Sequence, residues 1–112
     1  MSNAEDLNKV EVSIQEARDY IKLHDVFKRL SGSKDFQTII EELYFDDHLK
    51  RLVFLRSESG LPQDVKDNII SQLDAIAHFR SFLVEINQKG VAAKASLEAD
   101  EATREEILAE GV

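Results

Sequence analysis

The sequence contains no cysteine, one proline and only four glycines. Without cysteine the chain cannot form a disulfide, a thiolate nucleophile or a Cys-ligated metal site. The scarcity of proline and glycine leaves few helix breakers, and this favours long helices over strands joined by turns. A chain of 112 residues, 43% of them apolar, is expected to form one domain with a real core.

Long hydrophobic runs and nucleotide-binding loops are also missing. The apolar stretches are much shorter than the roughly 20 residues that cross a bilayer, and residues 1–6 lack the features of a secretory signal. We therefore expect no membrane partner. The glycine-rich phosphate loops and the Gly-x-Ser-x-Gly motif are absent, which argues against phosphate-binding and acyl-transfer enzymes.

Acidic residues outnumber basic ones, and this excess is distributed unevenly along the chain. The net charge is −8, and residues 91–112 carry half of it, with six acids against two bases. An acidic chain repels phosphate, which disfavours nucleic-acid binding. The acids near this end form either a solvated face or a surface for a basic partner. The residues predicted for such an acidic partner surface are Glu98, Asp100, Glu101, Glu105 and Glu106.

The spacing of apolar residues predicts two long helices. One runs from about Ala4 to Leu30, and Gly32 is expected to end it in the left-handed conformation. The other begins at Pro62 and stops at Gly90. Beyond Gly90 large apolar groups are few, so a helix restarted by the capping box at Thr103 is expected to be marginal.

A further helical segment begins near Ser33 or Asp35, and at Asp46-Asp47 either a new helix begins or the same helix continues with a bend, as far as Arg56. The apolar residues assigned to its inner face are Phe36, Ile39, Ile40 and Leu43. The four consecutive apolar residues 52–55 would cover every side of one helical turn, although a strand over 51–56 is an alternative. Such a turn must be enclosed or meet another chain. The predicted partner or oligomer interface is Leu49, Leu52, Val53, Phe54 and Leu55.

The three histidines, His24, His48 and His78, are the only obvious catalytic candidates. None of them belongs to a Glu-x-x-His pair or to a His-Glu-x-x-His motif. We expect each to be a surface or half-buried histidine beside a carboxylate, as Asp74 would be for His78. The sequence therefore predicts no catalytic residue, no cofactor and no metal site.

Several short stretches form a recognisable set. They are Leu30 with Asp35-Phe36, Glu42 to Phe45, Arg51 to Val53, Ile76 with Phe79 to Leu83, and Thr103 to Leu108. Together they resemble small helical proteins encoded by tailed bacteriophages. The resemblance spans roughly residues 21–110, and it carries no catalytic motif. It implies a protein of the virion or of its assembly, or a phage factor that acts on a host protein, located in the virion or the host-cell cytoplasm.

These observations lead to one expected architecture and two expected functions. The fold is all-α, a helical-hairpin-based bundle of three to five helices, with residues 1–97 as the bundle and 98–112 as an acidic C-terminal helix or tail. The first helix pairs antiparallel with the helix after Pro62, and residues 35–56 pack across them. The expected function is a non-enzymatic, oligomer-forming protein of phage structure or assembly. The alternative is an acidic inhibitor or DNA mimic that binds a host protein.

Overall fold

All regular elements of the computed structural model, which describes residues 3–111, are helical. The predicted all-α class is therefore confirmed, and the strand considered over residues 51–56 is wrong. The residues between 34 and 56 form one unbroken run, which we call the middle helix. The elements are α1 (Asn3–Ser31), α2 (Lys34–Phe36), a π-helix (Gln37–His48), α3 (Leu49–Arg56) and α4 (Gln63–Gly111).

Two residues, Gly32 and Ser33, separate α1 from the middle helix. The Ser33 N–H and hydroxyl donate to the Leu30 carbonyl at 3.1 and 2.7 Å, which satisfies the end of α1. The Ser33 hydroxyl also accepts from the Phe36 N–H at 3.2 Å, as an N-cap does. The left-handed conformation predicted for Gly32 is wrong, because Gly60 (φ 79°) is the one residue between 3 and 111 with a positive φ.

The second connection, residues 57–62, lies where the sequence predicts a loop. Ser57 closes α3 by donating its hydroxyl to the Phe54 carbonyl at 2.7 Å. Gly60 then supplies the left-handed backbone that reverses the chain. The Pro62 carbonyl accepts from the Lys66 N–H at 3.1 Å, so α4 begins beside the proline that the sequence indicated.

The end predicted at Gly90 is wrong, because α4 continues without a break to Gly111. Gly90 is buried within the helix. The restart predicted at Thr103 is also wrong, and the Thr103 hydroxyl donates instead to the Ala99 carbonyl, one turn earlier, at 3.0 Å. The boundary expected between residues 97 and 98 falls inside α4.

The chain divides into two compact units, and α4 contributes to both. The first contains residues 3–28 and 85–111, and the second contains residues 29–84. In the second unit Leu52, Ile69 and Ile76 form the buried core. The middle helix and residues 63–84 run antiparallel there, because the short connection 57–62 joins them while Phe45, farther from that connection, meets Phe79.

In the first unit α1 pairs antiparallel with the last part of α4. As the residue number rises along α1, the number of its partner falls. The buried side chains between them are those of Ile14, Ala17 and Ala93, at 1%, 5% and 6% exposure, together with His24 at 2%. The pairs that define this direction are Glu11 with Arg104, Ser13 with Asp100, and His24 with Asn87.

The antiparallel pairing of α1 with the helix after Pro62 is present, but it lies toward the end of that helix. Within the first unit α1 contacts Asn87 and residues beyond Gly90, which the sequence suggested would form a marginal helix or tail. Residues 63–84 belong to the second unit and pack on the middle helix. Gly90 and Ala93 are both buried, and their small size allows the two helices to approach closely.

Candidate interaction surfaces

The predicted interface divides into an inner and an outer part. Leu52 is 1% exposed in the core, and Leu49 and Leu55 pack against the same core. Val53 and Phe54 point outward, with exposures of 52% and 72%. The turn formed by residues 52–55 is therefore covered on one side by its own unit. The interface role stays a prediction for Val53 and Phe54, the two outward residues.

The π-helix changes which apolar residues face inward. Its hydrogen bonds span five residues where an α-helix spans four, so each turn holds more residues. Phe36, Ile40 and Phe45, spaced four and five apart, are buried or half-buried. The predicted inner positions of Ile39 and Leu43 are wrong, since these side chains are 55% and 53% exposed. A 3.6-residue period assigned them to the wrong side.

A shallow, mainly apolar groove follows this outer side of the middle helix. Leu43 and its neighbours supply apolar walls, and polar groups lie toward the α3 end. Its volume is about 530 Å³. The residues that line it are Ile39, Ile40, Leu43, Tyr44, Asp47, His48 and Arg51. An excess of apolar residues between 36 and 45, more than one helix face can bury, was the signal in the sequence for this groove.

Aromatic packing fixes the groove to the second unit. The Tyr44 ring meets the Phe79 ring edge-on, with 6.0 Å between centroids, and stacks on His48 at 5.7 Å. Phe45 lies 5.6 Å from Phe79, and the Arg80 guanidinium sits 5.9 Å from the Phe45 centroid. Each of these ring contacts contributes about 0.5–1.5 kcal/mol, so the groove wall is held by α4.

Charges are segregated along the middle helix. Residues 37–47 contain four acids and no base, whereas residues 48–57 contain three bases and no acid. The Lys50 ammonium lies 2.9 Å from Asp46, and this hydrogen bond raises the pKa of Lys50. Arg51 donates to the His48 Nδ1 at 2.7 Å, and His48 is half-buried, as predicted.

The predicted acidic surface is only partly free. Asp100 accepts from the Ser13 hydroxyl, and Glu101 lies 4.0 Å from Arg18, so both take part in packing the first unit. Both side chains are half-buried. Of the five predicted acids, the exposed ones are Glu98, Glu105 and Glu106. An acidic partner surface, if α4 presents one, therefore consists of these three residues.

His24 is a buried packing residue of the first unit. Its side chain is 2% exposed, its Nε2 lies 2.8 Å from the Asn87 Oδ1, and its Nδ1 has no hydrogen-bond partner. The carboxylate predicted beside it is wrong. Gly90 allows the close approach, because a Cβ at that position would overlap the His24 side chain. His78 is exposed on α4.

The described part of the chain contains no cluster of three or more acidic, histidine or cysteine side chains that could hold a metal ion. None of its helices combines the length and the continuous apolarity of a membrane span. Comparison of the sequence and the structure with known protein families, curated proteins and solved structures found no match. The features that bear on function are therefore the outer side of the middle helix and the exposed acids of α4.

Proposed function

We propose that the protein is a non-enzymatic, helical protein–protein interaction protein that forms oligomers. The observation that carries the proposal is the exposed apolar side of the middle helix, where Phe54 is 72% exposed and Ile39, Leu43 and Val53 are more than half exposed. Exposed apolar residues in continuous patches are typical of interaction sites, whereas single ones are ordinary. The groove lies beside these residues and adds a concave part to the exposed apolar surface.

A second supporting observation comes from α1. Leu23 and Val26, in the first unit, are 58% and 51% exposed. Both units therefore present large aliphatic groups to their surroundings, although each has a buried core of its own. A bundle of three to five helices, as the sequence suggested, would be completed by helices of further chains against these faces. This finer architecture is part of the proposal.

The test is the molar mass in solution. Light scattering of the full chain from about 1 to 500 μM should give masses above the 12.7 kDa of one chain. Because apolar packing is weakly screened by salt, the mass should persist from 0.05 to 0.5 M NaCl. A mass of one chain at every concentration would contradict the proposal.

The bacteriophage context is also a proposal, supported by the resemblance of the sequence to small helical proteins of tailed phages. In that context the oligomer would be part of the virion or of its assembly. An antibody raised against the protein should bind purified phage particles. The number of copies detected per particle should be a multiple of the number of chains in the oligomer. Its absence from purified particles would exclude a virion component.

The alternative is an acidic inhibitor or DNA mimic, favoured by the exposure of Glu98, Glu105 and Glu106 on one stretch of α4. A DNA mimic binds through many exposed charges, so its affinity should fall steeply as salt rises. Replacing the three glutamates by glutamine should then abolish binding to the host target. The same variant of an oligomer-forming protein would keep its mass.

A further inference from the structure

The outer side of the middle helix is complementary to a second copy of itself. A two-fold axis that crosses the helix between His48 and Leu49 brings residue 43 opposite residue 54, and residues 46 and 47 opposite 51 and 50. Leucine then meets phenylalanine, and both aspartates meet bases. Such self-complementarity is what an isologous dimer interface requires.

The positions that meet in this way are accessible. Leu43 and Phe54 are 53% and 72% exposed, and the side chains of Asp46 and Lys50 are 56% and 67% exposed. Asp47 and Arg51 line the groove that Leu43 borders. The apolar and charged members of the pattern therefore lie on one connected surface of the second unit.

The helix dipole explains part of this charge order, because acids are favoured toward a helix start and bases toward its end. It does not explain the exposed apolar groups between them. Within one chain Leu43 and Phe54 do not meet, since 11 residues of helix separate them by about 16 Å. A second, antiparallel copy brings these two residues together and places Asp47 opposite Lys50 beside them.

We propose that two copies of the chain pair antiparallel through the middle helix, with Leu43 and Phe54 of each copy packed against Phe54 and Leu43 of the other. This inference rests on the proposed oligomeric function and adds the partner and the register. The groove would accept the Phe54 ring of the second copy, and the charged pairs at its rim would select the antiparallel direction.

Cross-linking tests the register directly, because the chain has no cysteine of its own. Leu43→Cys and Phe54→Cys variants, mixed and oxidised at full length, should form the mixed 43–54 disulfide in preference to 43–43 or 54–54. Ser71→Cys, at an exposed position on α4, is the matched control and should cross-link only slowly. Predominant 43–43 disulfides would show a parallel pairing and overturn the proposal.

Substitution tests the two kinds of contact separately. Phe54→Asp should weaken dimerisation by at least 30-fold, on the order expected for loss of an aromatic anchor. Phe82→Asp, which changes a phenylalanine of the same unit that is 57% exposed, should leave it within about two-fold. Circular dichroism of both variants confirms that the helices remain. Equal effects of the two substitutions would overturn the proposed surface.

Exchanging the charges of two residues tests the ion pairs of the proposed interface. Asp47→Lys should weaken dimerisation by about ten-fold at low salt, because two Lys–Lys contacts replace two ion pairs. Asp47→Lys combined with Lys50→Asp should restore it, since opposite charges then meet again. Failure of this rescue, in an oligomer that still forms, would overturn the antiparallel interface and leave the oligomeric function intact. A chain that stays monomeric throughout would overturn both.

Discussion

At Gly90 the backbone of α4 comes so close to α1 that only a hydrogen fits on the Cα facing His24. The buried imidazole uses one nitrogen to hold Asn87, and its ring fills the space that a side chain at position 90 would need. A glycine in a helix costs about 1 kcal/mol relative to alanine. The close packing of the histidine offsets that cost.

Gly90→Ala is therefore expected to destabilise the protein by about 1–3 kcal/mol. Helix propensity alone would predict the opposite, a gain in stability of about 1 kcal/mol. Urea unfolding measures the difference. His24→Ala removes the ring that the new methyl group would strike, so the double variant should lose less than the sum of the single variants. A higher melting temperature for Gly90→Ala alone would contradict this packing.

Two lysines of the first unit have opposite electrostatic surroundings. The pKa of Lys94 is lowered mainly by its contact with the Lys28 ammonium, and desolvation is the second cause. A hydrogen bond to Glu85 at 2.7 Å raises the pKa of Lys89, whose ammonium also lies 5.8 Å from the Tyr20 centroid. Near neutral pH, Lys94→Gln should slightly stabilise the protein and Lys89→Gln should slightly destabilise it.

The pH dependence distinguishes these two lysines further. The charged form of Lys94 is disfavoured in the folded state, so its penalty is complete below the lowered pKa and disappears as pH rises toward the ordinary value of 10.5. The stabilising effect of Lys94→Gln should therefore vanish in this range. The contribution of Lys89 persists there and is lost only as pH passes its raised pKa. Thermal melts of both variants from pH 7 to 11 provide the measurement.

At the scale of the element, the middle helix separates inward from outward residues within one turn. Leu52→Ala should cost about 2–5 kcal/mol, because it leaves a cavity beside Ile69 and Ile76. Val53→Ala, at the neighbouring position with 52% exposure, should change the unfolding free energy of the monomer by less than about 0.5 kcal/mol. Denaturation at concentrations too low for association tests both variants. Similar losses would show that the turn is enclosed on all sides.

The sequence predicts the helices better than their faces or partners. The bounds of α1 and the start of α4 follow from periodicity and from Pro62, which are local signals. The inner face of the middle helix depends on the wider π turn, and no 3.6-residue pattern contains that information. Gly90 looks like a helix end because glycine commonly ends helices. Its actual role, close approach to another helix, is tertiary and has no local signature.

At the scale of the whole molecule, the acidic end of α4 is a structural part of the first unit. Truncation after Leu97 would remove Asp100, Glu101 and Arg104, which contact α1 at three positions. We expect the truncated chain to melt several degrees lower and to lose amide protection in residues 3–28. Residues 29–84 have a core of their own and should keep their protection. An unchanged melt would mean that residues 98–112 are dispensable.

The pairing of α1 with the far end of α4 also determines the order in which the chain can fold during synthesis. The middle helix meets residues 63–84 after a connection of only a few residues, so its hairpin can close as soon as these residues leave the ribosome. The apolar stripe of α1 waits for partners made about 60 to 90 residues later, roughly 3–18 s at 5–20 residues per second. For that interval α1 is an unpaired amphipathic segment, and it is then that a chaperone or a neighbouring nascent chain has access to it.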